Sequence, residues 1–290
     1  MINTIKKSLK ILRNNTIFIQ PILLFFLTIM SILMFLNGRV LNVYSQATLV
    51  LSFVLLFIAF LTGWLHINKL GVVSYNEEDT PEEISQKSLK NFKTFFEGVG
   101  ANFFRVLLVS VILFFIYVGV MYGLTKLCLH SFGFPEIYYD FQKLAKAASE
   151  AEMYNIINGI SDENKIVFVK WLLVIYPSAV FICFYAVLTF SALFFEKTNV
   201  FNVFWKSIKF FFKNFIGCVF FIIFLKVLYL LINLISALIG TNAISLFIIT
   251  MLLTIYLNYY LLLIFCYYYD KTKDNSDSGT ELIGQEQTGN

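Results

Sequence analysis

Apolar residues run in long blocks along this chain, and the polar residues collect between the blocks. The runs at 16–36, 46–68, 104–127, 167–195, 215–239 and 244–268 are each near or above the ~20 residues that cross a hydrocarbon core as a helix. They predict six transmembrane spans. The fourth is long enough to tilt, and it contains Pro177, where a kink is expected. Little more than Gly240-Thr241-Asn242 separates the fifth from the sixth, so these two form a tight helical hairpin. The basic N-terminus leads into an apolar run too long for a signal peptide core. No small-x-small cleavage site follows, so 16–36 is read as a retained first span.

A shorter pattern recurs ahead of the spans. Lys7-Ser8-Leu9-Lys10-Ile11-Leu12, Lys87-Ser88-Leu89-Lys90-Asn91-Phe92 and Lys206-Ser207-Ile208-Lys209-Phe210-Phe211 share the form K-S-[LI]-K-x-[LF]. Their starts lie 80 and then 119 residues apart, and the longer interval holds a long polar loop. The predicted unit is one interfacial helix followed by two spans, at about 1–68, 80–195 and 198–269. All three units start on one side of the membrane. They are therefore parallel repeats, unlike the inverted pairs of many transporters.

Each short segment reads as an amphipathic helix. In the second, Ile84, Leu89, Phe92, Phe95 and Phe96 form the apolar side. Thr80, Pro81 and Glu83 mark its start as N-cap, first helical residue and capping-box partner. In the third, Phe201, Phe204, Trp205, Ile208, Phe211 and Phe212 oppose Lys206, Lys209 and Lys213. An aromatic face against a lysine face suits a helix lying among lipid headgroups. Framing the bundle is the simpler role for these helices. Gathering anionic lipid through Lys7, Lys10, Lys87, Lys90, Lys206 and Lys209 is the functional one.

Composition agrees with the pattern. Hydrophobic residues make up 59% of the chain, charged residues 14%, and mean hydropathy is +0.76. A soluble domain has about 25% charge to wet its surface, so a soluble enzyme and a disordered chain are both excluded. The fold class is all-α, a polytopic membrane bundle. The net charge of +4 is too small and dispersed for nucleic acid. With the N-terminus inside, 15 of the 22 Lys and Arg residues fall on the inner side, 6 outside, and Lys226 within the membrane. The positive-inside rule then places both termini in the cytoplasm. The outer loop, about 128–166, shows helical spacing over Asp140–Ile157, and is expected to cover the bundle mouth or bind a partner. The polar tail 270–290 is expected to be disordered.

Lys226 is the unusual intramembrane charge, about 12 residues from either end of its span. Tyr229, Asn233 and Ser236 share its face, and Thr250, Thr254 and Asn258 line the next span. Folding the hairpin about residue 242 brings Lys226 to Asn258 and Asn233 to Thr250. Lys226, Tyr229, Asn233 and Asn258 thus form a candidate polar site, either as packing glue or as a ligand headgroup site. Gly119 and Gly123 have the GxxxG spacing of close helix approach. No Asp or Glu lies well inside a span, which argues against ion coupling. His66 and His130 have no ligand-spaced companions, and the four cysteines form no CxxC pair. No catalytic, cofactor or metal-binding residue is nominated, and the chain is read as a non-enzyme.

The repeated interfacial helix plus hairpin, the K-S-[LI]-K segments and the stretch Phe210-Phe211-Phe212-Lys213-Asn214-Phe215 carry a resemblance. Over most of residues 1–269 the chain resembles a loose group of bacterial six-span proteins. That group includes the membrane domain found beside some glycerophosphoryl diester phosphodiesterases. The resemblance implies architecture and a bacterial inner-membrane location, with no catalytic residue carried over. The expected function is a non-catalytic protein that organises lipid or a membrane complex. Its expected partners are anionic lipids at the cytoplasmic face, or a membrane protein. The alternative is a permease or lipid-handling transporter subunit built around Lys226.

Overall fold

The computed structural model describes residues 1–36, 42–135, 143, 158–196, 198–239 and 243–286. These residues are helical with short links, and no strand occurs among them. The helices are α1 (Ile2–Asn14), α2 (Gln20–Leu36), α3 (Val43–Val73), α4 (Pro81–Lys93), α5 (Phe95–Phe132), α6 (Asp162–Phe195), α7 (Val200–Lys213), α8 (Phe215–Ile239) and α9 (Ala243–Glu286). A 3-10 turn, Thr16–Ile19, joins α1 to α2. The helix expected over Asp140–Ile157 lies outside the described residues, apart from an isolated helical position at Lys143. Helix α9 runs to Glu286, into the tail for which composition predicts disorder.

Five helical stretches among the described residues are long and apolar enough to cross a membrane: Tyr44–Val73, Phe95–Phe132, Asp162–Phe195, Phe215–Ile239 and Ile244–Lys273. This set fits a helical membrane bundle. The run expected to give the first span is less regular. It divides into the 3-10 turn and a 17-residue α2. The chain also turns by 82° between α1 and the segment that follows it. Helix α6 continues through Pro177 as one element.

Three short helices each end at a polar residue just before a longer helix. Asn15 leaves helical geometry at φ −120° and ψ 44°, and its Nδ2 donates to the Ile11 carbonyl at 2.8 Å. Asn214 repeats this at φ −115° and ψ 31°, donating to Phe210 O at 3.0 Å. Thr94 donates its hydroxyl to Asn91 O at 2.7 Å. In each case a side chain satisfies a carbonyl near the helix end, so the backbone can turn without stranding it. The start of α4 matches expectation. Glu83 N–H donates to Thr80 Oγ1 at 3.3 Å, and Thr80 N–H donates back to Glu83 Oε2 at 2.9 Å. These bonds from Thr80 favour the ionised form and lower the Glu83 pKa below its ordinary value.

The described chain divides into two compact units. Unit one comprises residues 1–109 and 185–290. Its core lies where α1, α4 and α7 meet the ends of the long helices. Phe18, Leu65, Ile67, Phe221, Leu225, Phe265 and Tyr268 are buried there. Arg105 donates to Thr198 O at 3.0 Å, tying α5 to the α6–α7 link. The far parts of α3, α8 and α9 instead expose Leu51, Leu234, Ile244 and Phe247. Such surfaces carry no hydrophobic penalty against lipid tails.

Unit two comprises residues 110–184. Gly133 ends α5 with φ 80°, a conformation that glycine adopts without a Cβ clash. Trp171 of α6 donates its indole N–H to Gly133 O at 3.0 Å. Lys170 sits 5.7 Å from the Phe132 ring centroid. Among the described residues, a Cβ on Gly119 or Gly123 would meet nothing within 4 Å.

Candidate functional site

The two lysines of each K-S-[LI]-K segment have different surroundings. The first lysine is paired with an acid in all three. Lys7 meets Asp270 of α9 at 2.6 Å, and Lys87 meets Asp79 at 2.6 Å. Lys206 meets Glu196, which also accepts from the Tyr268 hydroxyl. The serine that follows is buried each time, as Ser8, Ser88 and Ser207. Ser88 donates to Asn15 of the first short helix, so α4 is joined to the end of α1. Ser207 returns its hydrogen bond to Val203 O at 2.8 Å. Lys7 ties α1 to α9, Lys206 ties α7 to the end of α6, and Ser88 ties α4 to the end of α1, whereas the Lys87–Asp79 pair is local to the start of α4.

Among the described residues, the second lysine forms no ion pair in any of the three segments. Lys10 donates to Glu77 O at 3.2 Å and sits 5.6 Å from the Tyr75 ring. Lys90 is exposed. Lys209 is exposed and lies 5.4 Å from the Trp205 ring centroid. A lysine over an aromatic face keeps its charge while covering apolar surface.

The short helices divide their apolar residues between two faces. The sequence places an aromatic face of α7 among lipid headgroups. The residues that α7 buries are Val203, Ser207, Phe210 and Phe211, so Phe211 leaves the expected face for the bundle. Phe201, Trp205 and Phe212 are 73%, 59% and 71% exposed and lie on the opposite side. Helix α4 likewise buries Ser88 and Asn91 while Leu89 and Phe96, just beyond its end, stay exposed. Helix α1 buries Thr4, Ser8 and Ile11 and exposes Ile2 and Leu9. Small residues let two backbones approach closely, so they win the protein contact. The bulkier apolar groups are left facing outward.

The intramembrane polar residues form two groups. Lys226 Nζ sits 5.4 Å from the Tyr229 ring centroid on its own helix. Tyr229 packs on Tyr256 at 5.8 Å, and the Tyr256 hydroxyl donates to Leu225 O at 3.1 Å. Asn258 is fully buried and accepts from Trp64 Nε1 of α3 at 3.2 Å. Its Nδ2 has no hydrogen-bond partner among the described residues. Asn233 and Thr250 are exposed. Thr250 bonds back to Leu246 O at 2.8 Å, and buried Thr254 to Thr250 O at 2.7 Å. The hairpin register is close to the expected one, but Asn258 turns towards α3. Trp64 has no signal in the α8–α9 pattern, because its part depends on where α3 packs.

Among the described residues, no group of three or more His, Cys, Asp and Glu side chains could hold a metal ion. His66 packs against Gly98, where an added Cβ would collide with the imidazole. The four cysteines are free thiols. No protein-family model matches the chain, and no curated protein or solved structure was found to match it.

Proposed function

We propose that the protein is a non-catalytic multi-pass protein that organises anionic lipid at the cytoplasmic face of a bacterial inner membrane. In this reading, three parallel repeats of interfacial helix plus hairpin give six spans, with α2 and its preceding turn as the first. Both termini are cytoplasmic. The observation that carries the reading is the outward face of α7. Phe201, Trp205 and Phe212 stand exposed opposite the face packed on the bundle, with Lys209 beside them. In water, such a face loses about 25 cal/mol for each Å² of apolar area left exposed. In the headgroup layer the aromatic rings are buried and the lysine meets lipid phosphate. Lys10 and Lys90 occupy the equivalent place in the other two segments.

The alternative transporter reading centres on Lys226. Its ammonium over Tyr229, and the commitment of Asn258 to Trp64, support a packing role instead. The test is lipid retention in nanodiscs containing both anionic and zwitterionic lipid. Preferential retention of the anionic lipid, lost on replacing the three second lysines, supports the proposal. Retention without lipid preference contradicts it.

A further inference from the structure

At the α7–α8 junction, unit one contains a cavity of about 800 Å³. Its wall includes Thr4, Lys213, the first turn of α8 through Gly217, Tyr267 and Lys271. The first N–H groups of a helix have no acceptor within it. Cys218 is the first residue of α8 to bond back, donating to Asn214 O at 3.0 Å. The turn ahead of it presents the positive end of a 25-residue helix to the cavity. Lys213 and Lys271 add two ammonium groups to the same wall. Asp270 also lines it, and Lys7 is 2.6 Å from that carboxylate.

Tyr267 supplies a second and independent observation. Its side chain is only 4% exposed, and its ring is held by Phe210 at 5.6 Å and Phe221 at 4.7 Å. Its hydroxyl makes no hydrogen bond to any described residue and opens on the cavity, whereas a phenol held this deeply ordinarily finds a partner. Tyr267 lines the cavity, and its hydroxyl stands over Gly217 of the α8 first turn. A Cβ on Gly217 would collide with that hydroxyl, so the glycine makes the room in which it stands.

We propose that this cavity binds one phosphate group. The α8 N–H groups and the Tyr267 hydroxyl donate to its oxygens, and Lys213 and Lys271 balance its charge. A backbone turn, a phenol and two ammonium groups form a set of donors suited to an oxyanion. The same group is found in a phospholipid head and in soluble phosphate. The site does not depend on the lipid-organising role of the short helices.

The test uses the full chain in zwitterionic nanodiscs, titrated with inorganic phosphate against sodium chloride at matched ionic strength. A parallel arm measures retained phosphatidylglycerol by native mass spectrometry. Lys213→Gln, Lys271→Gln and Tyr267→Phe are compared with Lys165→Gln on α6, which lies outside both the cavity and the short helices. Losing one charge-assisted bond is expected to weaken binding about 10-fold. Saturable phosphate binding that is weakened in the three cavity variants, and unchanged in Lys165→Gln, supports a soluble source. Retained lipid that shows the same variant pattern, and is displaced by phosphate, supports a headgroup source. Absence of both, or equal binding in all variants, overturns the site. If the lipid-organising proposal fails while the cavity variants behave as stated, the site stands alone.

Discussion

Trp64 donates its indole N–H to Asn258 Oδ1 at 3.2 Å, joining α3 to α9 at a point where the asparagine is fully buried. The Asn258 amide nitrogen has no partner among the described residues, so this bond is the one that offsets the burial of the side chain. Trp64→Phe is expected to destabilise the protein by about 1–3 kcal/mol, the cost of an orphaned buried polar group. Adding Asn258→Leu removes the orphan and recovers much of the loss. Thermal unfolding of both variants checks this. Equal stability of Trp64→Phe and the native chain rejects the coupling.

The paired lysines are expected to act on stability rather than on lipid. Lys206→Met strips the Glu196 carboxylate of its cation while leaving Tyr268 attached to it. Leaving a half-buried charge unpaired costs more than the ~0–1 kcal/mol of a fully exposed pair. Lys206→Met should therefore lower the unfolding temperature, and Lys209→Gln should leave it unchanged. A reversed order in thermal scans contradicts the division between first and second lysines.

Gly98 allows α5 to reach His66 of α3. Gly98→Val places methyl groups where the imidazole lies, and overpacking of this kind costs about 1–3 kcal/mol. Gly119→Val has open space around it and is expected to be neutral in the monomer. Unfolding temperatures of the two variants provide the comparison, and equal effects would remove the basis for the α3–α5 contact.

The α4 cap has a pH signature. Bonds from Thr80 hold Glu83 below its ordinary pKa of 4.5. The contribution of the ionised cap is fully present above that value, and is lost as pH falls through the lower folded value. Thr80→Ala removes the hydroxyl bond and keeps the larger backbone one, so the Glu83 pKa should rise only part of the way towards 4.5. Carboxyl carbon chemical shifts followed against pH measure both values, and a native Glu83 pKa already at its ordinary value rejects the cap.

Much of the architecture is legible from residue pattern, because a membrane span needs only length and hydropathy. The hairpin register of α8 and α9 follows from their short link, and the capping box at Thr80 follows from local chemistry. Which residues of the short helices pack on the bundle does not. Hydropathy reports how strongly a side chain avoids water, and cannot tell lipid from protein. Ser8, Ser88 and Ser207 won the protein contact because they are small, and Trp205 was left outside. The helix breaks did leave a signal in Asn15, Thr94 and Asn214, each placed seven or eight residues after the first lysine of its segment. Trp64 and Tyr267 were invisible because their partners are set by packing between distant segments.

Native mass spectrometry from mixed nanodiscs tests the central claim most directly. The native chain is expected to retain phosphatidylglycerol over phosphatidylcholine. Lys10→Gln, Lys90→Gln and Lys209→Gln together should abolish that preference, while Lys226→Leu inserts normally and keeps it. A preference that survives the triple variant and disappears in Lys226→Leu would contradict the account and place the lipid site inside the bundle.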